Sequence, residues 1–171
     1  RLRSQASVVA ITGSNGKTTT RRMTTAILDR QYDTLTAVGN FNNEIGLPLT
    51  LLGLSTEHQW AVLELGTNNP GEIARLAEIC SPDIGVLTNI GPAHLEGLGS
   101  IEGVMQEKGD LLRSLGPGGK AILNADDPRV IQLASSTKAE VILYGLSREA
   151  TIRAEDVNET KDTISFTLIF A

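Results

Sequence analysis

One stretch constrains this chain more than any other: Val8-Val9-Ala10-Ile11-Thr12-Gly13-Ser14-Asn15-Gly16-Lys17-Thr18-Thr19. A run of apolar and β-prone residues enters a glycine turn and leaves it through a lysine and hydroxyls that open a helical pattern. Glycines let the main-chain N–H groups of such a turn face inward, and the helix N-terminus adds its positive dipole end at the same spot. That arrangement suits phosphate. Gly13, Ser14, Asn15, Gly16, Lys17, Thr18 and Thr19 are therefore the expected phosphate-binding residues. Lys17 has the length to reach terminal phosphates, and Thr18 offers a hydroxyl to magnesium. The spacing departs from the general G-x-x-x-x-G-K-[ST] pattern, because Ile11 stands where the first glycine belongs. It is not G-x-G-x-x-G either, which disfavours a dinucleotide site.

The rest of the chain alternates short apolar strands with helical patterns. Strands are predicted at 8–12, 34–38, 60–65, 84–89, 120–124 and 141–144, with helices near 17–30, 45–53, 70–80, 100–115 and 127–135. This alternation predicts an α/β fold: a mostly parallel P-loop sheet with helices on both faces. The 70–80 helix has Asn69 as its expected N-cap, Pro70 at its first position and Glu72 in its first turn. Its residues Ile73, Leu76, Ala77 and Cys80 form a core-facing stripe. After about residue 146 strands continue without helices, and Ile164, Phe166, Leu168 and Phe170 alternate with other residues. A small antiparallel extension is expected at that end. Residues 1–7 are read as a linker and 8–171 as one domain of a longer protein.

Composition removes several function classes. A net charge of -5 argues against a nucleic-acid partner. The single cysteine, Cys80, rules out an internal disulfide framework and suits a reducing compartment. No apolar run approaches the ~20 residues that span a bilayer. The expectation is a soluble, cytoplasmic protein without membrane insertion.

Ligands of open parallel sheets gather outside the carboxyl ends of the strands, which selects GSNGKTTT, ELGTNNPGE, NIGPAHLEG and NADDP. Glu64 lies at such an end. A buried acid needs a positive partner, and a hard cation beside a phosphate chain qualifies, since magnesium takes carboxylate oxygens. A solvated acid is the plainer alternative. His94 follows a strand on the same edge and is a candidate for the chemistry, whereas His58 precedes a strand and falls on the opposite side. In the 101–115 helix the apolar face runs through Ile101, Val104, Met105, Leu111, Leu112 and Leu115. Lys108 sits on that face, seven residues from both Ile101 and Leu115. Either its long stem carries the ammonium out to water or it points into the cleft. Asn42 and Asn43, with Asn40, are candidate substrate contacts, as are Asn124, Asp126 and Asp127. Turn formation and helix capping compete as explanations for both clusters.

Taken together, TGSNGKTTT, GNFNNEIGLPLTLL, ELGTNNPGEIARLA, TNIGPAHLEGLGS, EKGDLL and NADDP resemble the ATP-dependent Mur ligases of peptidoglycan synthesis, in order and in spacing. The similarity runs from about residue 7 to at least residue 145, and TGSNGKT has the family's own form of the loop. The segments GNFNNEIGLPLTLL and NIGPAHLEG are most similar to the branch that adds D-Ala-D-Ala to a UDP-N-acetylmuramoyl-tripeptide. The resemblance implies a central ATP-binding domain between a nucleotide-sugar domain and a C-terminal domain. It implies ATP and two magnesium ions, one on Thr18 and Glu64, the other served by His94 and a carbamylated Lys108. Lys17, His94 and Lys108 then carry the catalysis of an amide ligase working through an acyl phosphate. The adenine-contacting segment of the family would lie beyond Ala171, so the chain alone is expected to form no amide bond. Two alternatives stay open at this point. One is a related ligase adding diaminopimelate or lysine, polyglutamate or cyanophycin units; the other is a nucleotide-binding module without activity.

Overall fold

The computed structural model describes residues 5–170, so Arg1–Ser4 of the expected linker and the terminal Ala171 lie outside the described residues. The first strand starts one residue earlier than expected. Ala6 is buried and Ser7 already pairs with Trp60 as the first residue of β1 (Ser7–Thr12). The helices are α1 (Lys17–Leu28), α2 (Gly46–Leu52), α3 (Glu72–Cys80), α4 (Leu95–Leu98), α5 (Ile101–Arg113) and α6 (Pro128–Gln132). The further strands are β2 (Thr34–Thr36), β3 (Trp60–Glu64), β4 (Ile84–Leu87), β5 (Lys120–Asn124), β6 (Glu140–Gly145), β7 (Ile152–Glu159) and β8 (Ile164–Phe170). Among the described residues no helix is long and apolar enough to cross a membrane.

One sheet contains all of these strands, in the order β2-β3-β1-β4-β5-β6-β7-β8. Pairing is parallel from β2 through β7, and only β7 and β8 run antiparallel. The expected antiparallel extension is this hairpin. Its outer residues Ile164, Phe166 and Phe170 are largely exposed.

Alternate residues of β1 serve two faces. Val8 and Ala10 pack with α3 and α5 through Ile73, Leu76, Ala77 and Leu111, while Val9 and Ile11 pack with Val62, Val86 and Leu28 of α1. Strands covered on both sides read as continuous apolar runs rather than as alternation, which is why VVAI and AVL mark the centre of the sheet. Ala121 and Leu123 of β5 extend the α5 side of the core toward Val130 of α6.

One helix start differs from expectation. Asn69 is not the N-cap of α3; Gly71, in the left-handed region at φ 87°, stands there without a side-chain cap. The Asn69 amide is engaged elsewhere, donating to Glu72 Oε1 at 2.9 Å. The Pro70-Gly71 pair turns the chain once more before the helix begins.

The chain leaves β1 toward β2 on one side and reaches β4 on the other. The order therefore reverses at β1, and a crevice opens beyond its carboxyl end. Register sets the walls of that crevice, with Ile11 beside Glu64 and Thr12 beside Leu87.

Candidate functional site

The β1–α1 turn is held from beneath by the segment after β4. Asn89 accepts from Ser14 N–H with its carbonyl (3.0 Å) and from Asn15 N–H with its side chain (2.9 Å). The Ser14 hydroxyl donates to Gly91 O at 2.8 Å, and Thr88 Oγ1 donates to Asn15 O at 2.7 Å. Gly13 lets the turn lie this close, since a Cβ there would collide with the Thr88 hydroxyl. Thus Ser14 and Asn15 shape the loop with their main-chain N–H groups. The N–H groups of the first helical turn, Gly16 through Thr19, have no intrahelical acceptor, and no side chain caps them. An anion belongs there. Lys17 stands over the turn, its ammonium donating to Gly13 O at 2.8 Å and Ser14 O at 3.3 Å. Burial lowers its pKa, against the opposing pull of the nearby Glu64 carboxylate.

Glu64 is 4% exposed. Thr18 Oγ1 donates to its Oε2 at 2.8 Å, and Asn42 Nδ2 donates to its Oε1 at 3.0 Å. Asn42 is itself pinned, because its carbonyl accepts from Gly66 N–H at 2.8 Å. The buried positive partner expected for Glu64 exists within the protein: Arg21 Nε lies 3.6 Å from Oε2. Asn43, by contrast, has a helix to start, its Oδ1 accepting from Ile45 and Gly46 N–H at 3.2 and 2.8 Å. Both asparagines still line the cleft.

That cleft, about 510 Å³ in volume, has Lys17, Thr18 and Glu64 on one side and Thr67, Asn68 and His94 on another. His94 is exposed and adopts a left-handed φ of 55° at the start of α4, a conformation that costs a non-glycine residue roughly 1–2 kcal/mol. Gly97 permits α4 to approach the Asn68 carbonyl, where a Cβ would clash, so the His94 turn is seated on the loop after β3.

Behind the cleft Lys108 is 1% exposed. It does not carry its ammonium out to water. Burial lowers its pKa to about 8, the nearby Lys17 charge pushes the same way, and Glu107 opposes both. Glu107 is as buried as Glu64 and accepts three hydrogen bonds: from Gly71 N–H (2.6 Å), Ile73 N–H (2.8 Å) and Thr67 Oγ1 (3.0 Å). It caps α3 from a neighbouring helix.

The later cluster is structural. Asp127 caps α6 through Arg129 and Val130 N–H and also accepts from Ile90 N–H at 2.7 Å. Asp126 accepts from Leu146 and Ser147 N–H, each at 2.8 Å, and Asn124 donates to Thr88 O at 2.9 Å. These residues brace strand ends and the turn beneath the phosphate loop.

Sequence reading missed Arg21 and Glu107. Glu107 had a signal, because it follows Val104 by three residues and precedes Leu111 by four, the spacing of the buried stripe. Arg21 had none that separated it from the exposed Arg22.

The donor set fits a nucleotide phosphate chain with a hard cation: N–H groups and a lysine for the anion, a hydroxyl and a carboxylate 2.8 Å apart for the cation. Among the described residues no three His, Cys, Asp or Glu side chains converge on one point. Magnesium does not require that, since it commonly takes one or two carboxylates and completes its shell with phosphate oxygens and water.

The chain is 41% identical over 165 residues to the UDP-N-acetylmuramoyl-tripeptide–D-alanyl-D-alanine ligase of Haemophilus influenzae, covering 94% of this chain and 36% of that protein. It spans, then, about a third of the length of this curated relative. A MurF crystal structure from Acinetobacter baumannii superposes with a TM-score of 0.90 at 36% identity, covering 96% of this chain and 36% of that one. The Thermotoga maritima MurF ligase in complex with ADP gives a TM-score of 0.86 at 30% identity, covering 95% of this chain and 38% of that one. The family model described as the Mur ligase middle domain matches residues 11–170, and the chain belongs to that family.

Proposed function

We propose that this chain is the ATP-binding part of a cytoplasmic ligase of peptidoglycan precursor synthesis. That ligase adds D-Ala-D-Ala to a UDP-N-acetylmuramoyl-tripeptide. The observation that carries the reading is the meeting of the Lys17 turn, the Thr18–Glu64 pair and His94 at one cleft, with Lys108 buried behind it. The identity to ligases so named and the ADP bound by a structural neighbour support it.

In this reading the tripeptide carboxylate attacks the γ-phosphorus of ATP, the β–γ bridging bond breaks, and ADP leaves an acyl phosphate. The amine of D-Ala-D-Ala then attacks the acyl carbon and expels phosphate. Two anions must meet in the first step, so catalysis is chiefly charge neutralisation and positioning. The free N–H groups of Gly16–Thr19 hold the β- and γ-phosphates, and Lys17 offsets the charge that develops as the γ-phosphoryl transfers. Thr18 and Glu64 would hold one magnesium ion, and His94 with Lys108 would serve a second. When bound, the ions polarise the phosphoryl oxygens and screen the incoming carboxylate.

For Lys108 this role requires a negative charge. An amine with a pKa near 8 has a reactive neutral fraction at neutral pH. Its lone pair adds to carbon dioxide and a proton is released, which leaves a carbamate in place of a cation. Asn42 and Asn43 line the side of the cleft where the peptide carboxylate would enter. The UDP-sugar and amine sites are assigned to the parts of the protein that the relatives have outside this matched third.

The test uses the full-length protein. Phosphate release should require ATP, magnesium, the UDP-tripeptide and D-Ala-D-Ala together, and calorimetry should detect a nonhydrolysable ATP analogue. Faster turnover with lysine or diaminopimelate in place of the dipeptide would overturn the assignment.

A further inference from the structure

Among the described residues, Arg21 is the one large buried cation near the cleft that the reaction above does not use. It lies one helical turn after Thr18 and is 4% exposed. One terminal nitrogen donates to Thr36 Oγ1 at 3.0 Å and to Ala37 O at 2.6 Å, and the other to Gly39 O at 3.3 Å. Nε is buried without a hydrogen-bond acceptor and lies 3.6 Å from Glu64 Oε2.

A guanidinium is planar and carries its charge at every accessible pH, so these four directions are fixed relative to one another. Its terminal nitrogens grip the turn after β2, whose next residues carry Asn42 onto Glu64 Oε1. Its Nε sits behind Glu64 Oε2, the oxygen that Thr18 also contacts. Both carboxylate oxygens are thereby oriented by one side chain, one directly and one through the 37–42 segment. An unpaired buried N–H is costly. Charge attraction to Glu64 is the only compensation in reach, which marks the contact as an alignment rather than a closed salt bridge.

We propose that Arg21 is a positioning residue for the Glu64 carboxylate, holding it in the orientation that receives the magnesium ion beside Thr18. This rests on the reading of Glu64 as a metal residue. Arg21 does not touch nucleotide or metal; it acts through Glu64 and Asn42.

The experiment compares wild type, Arg21→Met, Arg21→Lys and Glu64→Gln in the full-length protein. Manganese binding is followed by electron paramagnetic resonance at saturating nonhydrolysable ATP analogue, and hydrogen exchange is measured at amides 38–43 without nucleotide or metal. Removing an outer partner of a metal residue typically costs about 10–100-fold in metal affinity. Arg21→Met should weaken manganese binding by about tenfold or more and speed exchange across the 38–43 segment, while the KM for D-Ala-D-Ala stays unchanged. Arg21→Lys keeps the charge but not the fork, and should recover part of the affinity with exchange still fast. Glu64→Gln should lose the metal while the segment stays protected. If Glu64→Gln loses manganese and neither Arg21 variant does, the positioning role is wrong and the metal reading of Glu64 stands. If Glu64→Gln binds manganese normally, both are wrong. A rise in the KM for D-Ala-D-Ala equal to the loss in metal affinity would reduce Arg21 to general structural support and overturn the proposal.

Discussion

Glu64, which lines the cleft, and Glu107, which holds the cleft residue Thr67 from behind, are equally buried but are neutralised by different means. On the β1–β3 wall, Glu64 takes a hydroxyl, a side-chain amide and a guanidinium, all from side chains. Between α3 and α5, Glu107 takes two main-chain N–H groups at the start of α3 and one threonine hydroxyl. Main-chain donors at a helix N-terminus cannot turn away, and the helix dipole holds the charge as well. One carboxylate can therefore be shared with an incoming cation, whereas the other locks two helices together. The difference separates the proposed metal residue from a structural lock, although burial alone ranks them the same.

The contrast breaks first at Lys17. Lys17→Ala in the full-length protein should cut turnover by orders of magnitude, because a charge leaves the transferring phosphoryl group. Its thermal midpoint should stay close to wild type, since the side chain contributes little packing. A normal turnover number in folded protein would take the β1–α1 wall out of the chemistry.

Behind the cleft, Lys108→Arg should be nearly inactive, as a guanidinium keeps its charge and forms no carbamate. Lys108→Ala should be as weak but regain part of its rate with added short-chain carboxylates. Full activity of the arginine variant would remove the carbamate.

Glu107→Ala should act on stability before chemistry. It leaves the Gly71 and Ile73 N–H groups unpaired, at a cost of about 1–3 kcal/mol each where no water reaches them. Chemical denaturation measures this, and a loss no larger than that of an exposed substitution would show that Glu107 is not the lock.

The smallest effect concerns pH. Lys108 has a folded pKa of about 8, against ~10.4 in an unfolded chain. Between these values the unfolded state binds more protons, so this residue makes stability rise with pH. The penalty is fully present below pH 8 and gone above ~10.4. Lys108→Met should flatten that part of the stability profile; an unchanged slope would mean that the lysine is not desolvated in the native protein.

Much of the fold was legible along the chain because parallel strands buried on both faces leave apolar runs, and amphipathic helices leave stripes. Predicted and observed elements differ mostly at their ends: β2 stops at Thr36 and β4 at Leu87, each short of expectation. The 127–135 helix resolves into α6 and a 3-10 turn at Leu133–Ser136. The start of α3 was misread because Asn69 has a capping side chain and Glu72 claimed it first.

What the sequence by itself determined is the phosphate turn, the sheet that carries it, and the anomaly of Lys108, since each is a local pattern of residue type and spacing. Only the tertiary structure decided which charges meet. Arg21 and Arg22 are neighbours of identical chemistry, yet one lies behind Glu64 and the other in solvent, because the α1 packing angle selects between them. Glu64 and Glu107 acquired opposite roles from partners 46 and 34 residues away. Side-chain charge is written in the chain, but its neutralisation depends on distances that only the folded packing of α1, α3 and α5 sets.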